Sequence, residues 1–258
     1  MFSSINIFYQ LLKVDLLISF KNIKNRIIDT AIWVVAFAVM LKYVFPTLGM
    51  PVQYATEMAM VGIASAGAFE ACGYELVSDY FGDQIISHQL TLPISSWLVF
   101  LKISCSRAIG LLTRTSIILP LNKLILGDAL NFSTFSLTRF CLASIIVSVF
   151  FGLFSILGSS IPEDAGDIER TWIRIIFPLW YFGGALFTFN SILYAFPRLS
   201  MALLLNPFVY ATEGLRVSVL GASASVIPFW ASMVVLFLFA SLFGWWGVAR
   251  FRKKLDFI

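Results

Sequence analysis

Residues 75–96 read ELVSDYFGDQIISHQLTLPISS, a polar stretch set between two apolar runs, and its reading decides the fold. It is too polar to lie in lipid. Wound as a helix over residues 75–90, at 100° per residue, it puts Glu75, Asp79 and Asp83 on one edge at i, i+4 and i+8. Leu76, Val77, Tyr80, Phe81 and Ile85 cover the opposite side, and Ile86 falls among the acids. Such a helix lies along a membrane or protein surface until Thr91-Leu92-Pro93 stops it and a new apolar run begins. Two readings stay open: a mechanical arm on the cytoplasmic side with its acids toward a basic partner, and a solvated amphipathic connector, the simpler of the two.

Outward from this stretch the chain is apolar. Of 258 residues, 59% are hydrophobic and only 12% charged, with a mean hydropathy of +0.90, far outside the range of a soluble domain. A bilayer core about 30 Å thick takes roughly 20 apolar residues per helix. The chain offers five or six such runs with short polar joints, and none alternates as a barrel strand does. The expectation is an all-α integral membrane protein of one domain, residues 1–258. The net charge of +4 does not point to nucleic acid, because the basic residues sit at the ends of apolar runs. Cys72, Cys105 and Cys141 lie in or beside apolar runs without CxxC spacing and read as packing residues. No removable signal peptide is apparent at the N-terminus.

Residues 1–29 interleave Phe8, Leu11, Leu12, Leu16 and Leu17 with Lys13, Lys21, Lys24 and Arg26, the pattern of an interfacial helix with its lysines toward anionic headgroups. The first span is expected at about Thr30 to Phe45, with Lys42 snorkelling near its far end. The four basic residues ahead of it place the N-terminus in the cytoplasm. A second span, about Glu57 to Cys72, is rich in small residues and suited to close helix packing; Glu70 in it pairs with a neighbouring helix or serves transport.

The third span, about Trp97 to Leu126, carries Lys102, Arg107, Arg114 and Lys123. Arg107 and Arg114 share a face; both at mid-membrane would cost roughly 5 to 7 kcal/mol, so at least one lies near an interface, in a wet cavity or paired. Contact with substrate is the alternative. An uncharged fourth span, about Phe140 to Ile161, leads to the acidic joint PEDAGDIER. The fifth span, about Trp172 to Phe196, is aromatic: Trp180, Tyr181, Phe182 and Phe187, beside Gly183-Gly184, either pack or line a path for an amphipathic substrate. Residues 197–226 are too broken for one straight span and fit two short, partly re-entrant helices on the outer side. The sixth span, about Ile227 to Val248, ends in Arg250, Arg252, Lys253 and Lys254, which puts the C-terminus inside as well.

Little in the chain speaks for catalysis. His88 is the one histidine, and HExxH, GxSxG and GxxxxGK[ST] patterns are all missing from the sequence. Any ATP-driven work therefore needs an ATPase on another chain.

Two stretches carry a family resemblance: GDQIISHQLTLPISSWLVFLK at Gly82 to Lys102 and LNPFVYATEGLR at Leu205 to Arg216. With the surface helix and the Phe177 to Gly184 run, the layout resembles a permease subunit of the type-2 ATP-binding-cassette (ABC) exporters, which move polysaccharides, lipooligosaccharides and drugs. Asp83 departs from the pattern, since relatives more often carry threonine there. The resemblance implies a six-span subunit in a bacterial inner membrane that pairs as a homodimer on a cytoplasmic ATPase, which binds ATP and Mg; the chain itself needs no cofactor. It makes Glu75 to Ile86 a coupling helix, with Glu75, Asp79, Phe81, Gly82 and Asp83 at the ATPase. It also makes Asn206, Pro207, Glu213 and Arg216 part of an outer gate, Glu213 and Arg216 being close enough on a helix to pair. A secondary transporter is the chief rival. The substrate class stays open among lipid-linked glycans, lipids and drugs.

Overall fold

The computed structural model describes residues 4–49, 67, 85–164, 166–185 and 187–255. All regular elements among them are helical. In chain order they are α1 (Ser4–Lys21), α2 (Ile23–Leu48), α3 (Ile85–Leu90), α4 (Ser96–Leu126) and α5 (Leu137–Ser160). There follow α6 (Asp167–Gly184), α7 (Phe189–Ala195), α8 (Pro197–Leu203), α9 (Pro207–Leu220) and α10 (Phe229–Leu255). Four of these, α2, α4, α5 and α10, are long and apolar enough to cross a membrane, and α6 with α7 makes a fifth crossing only as a pair bent by 82°. The expected second span and the 75–84 part of the arm lie outside the described residues. Gly67 alone is described there; it is helical, buried, and so close to Phe151 that a Cβ would stand 2.2 Å from its ring.

The spanning helix begins earlier than its apolar run suggests. Helix α1 ends at Lys21 and α2 starts at Ile23, so Lys24, Arg26 and Asp29 belong to the first turns of the span rather than to the surface helix. Along α1, Phe8, Leu11, Leu12, Asp15, Leu16 and Ser19 turn inward, while Ile5, Tyr9 and Leu17 stay exposed. This is the period of an amphipathic helix laid on a neighbour.

Helix α5 is the hub of the bundle, with α4, α9 and α10 packed on it. Without bulky side chains at two crossings the backbones come close: a Cβ at Gly152 would lie 2.5 Å from the Ser104 carbonyl oxygen of α4, and one at Gly247 of α10 would lie 2.7 Å from the Leu157 amide. Between the crossings the space is filled by rings. Phe208 of α9 meets Phe151 and Phe154 edge-on at 5.0 and 5.8 Å, and Phe154 meets Phe243 at 5.4 Å.

The helix ends are closed by cations. Lys42 of α2 donates to the Ile125 carbonyl at 2.5 Å, and Lys123 donates to the carbonyls of Gly127 and Leu130 at 2.8 and 2.9 Å. At the opposite end Arg250 and Lys254 of α10 donate to the carbonyls of Ser160 and Pro162. Lys42 and Arg250 satisfy carbonyls that the C-termini of α4 and α5 leave open, at the negative ends of their dipoles, and Lys123 and Lys254 hold the connections that follow. Lys42 thus snorkels not to water but to a neighbouring helix.

Candidate functional site

Two polar assemblies interrupt the apolar bundle. The first is at the basic end, where α10 finishes. With 31 residues, α4 is about 46 Å long at 1.5 Å per residue and overshoots a 30 Å hydrocarbon core by roughly ten residues. Its first turns build a small separate core: Val99, Phe100 and Ile103 pack with Ile86 of α3, Ile156 of α5, and Val248 and Phe251 of α10. Ile86, the residue that breaks the acidic edge in the sequence, is only 2% exposed here, which explains why an apolar side chain stands among the acids.

Lys102 lies at the centre of this end. It is 2% exposed, forms an ion pair with Asp15 of α1 at 2.7 Å, and donates to Gln89 Oε1 of α3 at 2.8 Å. One ammonium therefore ties together α1, α3 and α4. Sequence reasoning registered Lys102 only as a charge in a span and passed over Asp15 and Gln89. The signal was there: Asp15 is the sole acid before Asp29, and it falls on the same helical side as Leu11, Leu12 and Ser19. The arm residues Glu75, Asp79, Phe81, Gly82 and Asp83 lie outside the described residues; of the 75–90 stretch only α3 is described. It stops where expected, with Thr91 returning both its amide and its hydroxyl to the His88 carbonyl.

The second assembly lies inside the bundle, where α9 meets the break in the fifth span. At 14 residues, α9 is about 21 Å long and cannot cross a bilayer, yet Pro207 to Val219 are all buried. Its N-terminus ends among Phe150, Phe151 and Phe154, at the middle of α5, and its last turn reaches the loop before α5, where the Ser136 amide donates to the Ser218 carbonyl. A helix can begin in so apolar a place only if its first amides are satisfied. Pro207 has none, Asn206 Oδ1 accepts from the Phe208 amide at 3.0 Å, and the Asn206 carbonyl accepts from Val209. Asn206 Nδ2 then donates to the Leu179 carbonyl at 2.7 Å.

Helix α6 is wound with π turns at Trp172–Ile176 and Tyr181–Ala185, which free carbonyls for such contacts. It breaks at Gly184, whose φ of 92° is in the left-handed region. Three side chains of α9 and its cap hold the break: Asn206, Thr212, which donates to the Gly183 carbonyl at 2.7 Å, and Glu213, whose Oε1 accepts from the Phe189 amide at 3.1 Å. Glu213 also forms an ion pair with Arg216, and both are fully buried.

The expected gate residues Asn206, Pro207, Glu213 and Arg216 are thus brought together on α9 and its cap, all of them buried; Asn206 and Glu213 tie it to the broken span, Pro207 opens the helix and Arg216 pairs with Glu213. The fifth span is not the single straight helix expected for Trp172 to Phe196. Trp172, Phe177, Trp180 and Tyr181 form a chain of rings 4.7 to 6.3 Å apart along one side of α6. Phe182 is exposed, and Phe187 is half-buried against the core. Arg107 and Arg114 are half-buried on α4; Arg114 lines a small cavity with Arg26, Ser19 and Thr113, away from the ring chain. No group of His, Cys, Asp and Glu able to hold a metal occurs among the described residues. Compared with protein-family models and with curated proteins, the chain finds no match.

Proposed function

We propose that the chain is the membrane-spanning permease half of an ATP-driven exporter. It moves an amphipathic substrate, a lipid-linked glycan, a lipid or a drug, out of the cytoplasm or the inner leaflet. A separate cytoplasmic ATPase holds ATP and Mg, and a second permease copy completes the transporter. On this reading the six spans are α2, the 57–72 run, α4, α5, the broken α6–α7 pair and α10, with both termini cytoplasmic.

The observation that carries the reading is the Lys102 junction. A solvated connector needs no attachment, whereas this arm ends in a packed core at Ile86 and in a hydrogen bond from the buried Lys102 to Gln89. Lys102 also holds Asp15 of the surface helix. A push on the acidic residues 75–83 would therefore reach α1 and α4 through one side chain. The ring chain of α6, with Phe177, Tyr181 and Phe182 exposed, suits a large amphipathic substrate or the second copy. Reversing the charges of Asp79 and Asp83 together should abolish substrate-stimulated ATP hydrolysis while the protein still inserts; stimulation equal to wild type would reject the arm.

A second reading, secondary transport without an ATPase, is favoured by one feature: a broken span meeting a buried Glu–Arg pair inside the bundle, as ion-coupled carriers have. Its test is uptake into liposomes holding this chain alone under a proton gradient. Sustained accumulation would establish it over the exporter.

A further inference from the structure

We infer that residues 189–203, the α7–α8 pair joined at Phe196, form a strap that swings on α9, and that Glu213 is the positioning residue that holds it closed. Burial divides the region sharply. In α9 Pro207 to Val219 are all buried, whereas in α7 and α8 Tyr194, Phe196 and Met201 are 81, 60 and 73% exposed and only Phe189, Ser200 and Leu203 are buried. An element with few buried contacts opens at lower cost than its neighbours. Both ends of the strap are pinned to the same post. At its start the Phe189 amide donates to Glu213; at its finish the Tyr210 hydroxyl donates to the Leu204 carbonyl at 2.8 Å.

The hinge chemistry is also present at the start, where Gly184 lies in the left-handed region with Thr212 Oγ1 only 2.9 Å from where a Cβ would stand. Asn190 supplies a further tie, accepting from the Val226 amide at 2.9 Å and donating to the Ala224 carbonyl. Glu213 Oε1 serves Phe189 and Arg216 at once, while Oε2 is buried and has no hydrogen-bond partner among the described residues. Any pull on Arg216 therefore competes directly with the bond that closes the strap. The moving gate is then the α7–α8 pair, and the Asn206 to Arg216 element is its fixed post. This holds whichever energy source drives transport.

Hydrogen exchange on two double variants of the full chain in nanodiscs tests it. Both Glu213→Gln/Arg216→Met and Glu213→Met/Arg216→Met remove the buried charges, but only the first keeps an acceptor for the Phe189 amide. Peptides over 187–205 should exchange about tenfold faster or more in the Met/Met variant than in the Gln/Met variant, with 207–220 protected in both. Equal protection of 187–205 in the two variants would overturn the proposal, as would equal loosening of α9. Should the Met/Met variant fail to fold, spin labels on Tyr194→Cys and Trp230→Cys, with Cys72, Cys105 and Cys141 changed to serine, give a second reading. Two distance populations support a swinging strap, and a single narrow one refutes it.

Discussion

Lys102 shows why a single side chain can matter more than the patterns around it. Its ammonium is buried, but Asp15 remains a quarter exposed, so the two halves of the pair are unequal. Removing the acid strands a buried cation, at a cost of about 3 kcal/mol, whereas removing both leaves only apolar packing to adjust. Asp15→Ala should therefore lower the melting temperature more than Asp15→Ala/Lys102→Met does; a double variant that melts at the sum of the single losses would show that the two do not interact. Asn206 makes a similar point. Asn206→Ala loses the cap of a helix that starts in an apolar interior and also the bond to Leu179, a loss of about 1–2 kcal/mol. Asn206→Asp keeps the cap acceptor but not the donor, and should fall between alanine and wild type in thermal melts. An aspartate as stable as wild type would remove Leu179 from the account.

Among the elements, packing at the α5–α10 crossing grades the cost of added volume. A methyl at Gly247 meets backbone atoms of Leu157 and Ile156 at 2.7 to 3.1 Å, whereas one at Gly244 meets only the side chain of Leu153. Backbone cannot rotate away, so Gly247→Ala should cost about 1–3 kcal/mol and Gly244→Ala distinctly less. Equal melting temperatures for the two would mean that the helices separate more easily than this packing implies. The long apolar helices were legible in the sequence because length and composition suffice to mark them: α4 and α5 begin and end close to their apolar runs, and α10 begins close to its own but continues past Val248 through the basic cluster to Leu255. Less legible was the fifth span. Its aromatic run reads as continuous, and only a pair of glycines hints at the break, because the bonds that hold it come from α9, some thirty residues on. The buried state of α9 was hidden for a related reason. Glu213 and Arg216 make its sequence look half-polar, and their pairing within one helix is what lets it go inside. The 1–29 segment is divided at Asn22 between α1 and the first turns of α2, a break that the evenly interleaved Lys21, Lys24, Arg26 and Asp29 do not announce.

For the molecule as a whole, the two ends of the bundle differ in charge. Arg250, Arg252, Lys253 and Lys254 gather at the end where α5 finishes and α4 begins, and the proposed topology makes that end the cytoplasmic one. A cysteine at Ser133, in the loop between α4 and α5, should react with an impermeant maleimide on intact cells, and one at Glu163 only after permeabilisation. The reverse pattern would invert the orientation and put the Lys102 junction out of reach of any cytoplasmic ATPase. The junction itself is only partly legible in the sequence: Gln89 and Lys102 both fall in the Gly82 to Lys102 stretch, but Asp15 comes from a third helix far away along the chain, and no spacing links it to the other two.

The central claim is that this chain is driven by an ATPase on another chain. Gentle purification from the native membrane followed by mass spectrometry of everything that accompanies it tests this most directly. The account predicts a second chain bearing a GxxxxGK[ST] motif in near equal amount, lost when Asp79 and Asp83 are reversed in charge. Purification of an intact, folded protein with no such chain would contradict it and move secondary transport to first place.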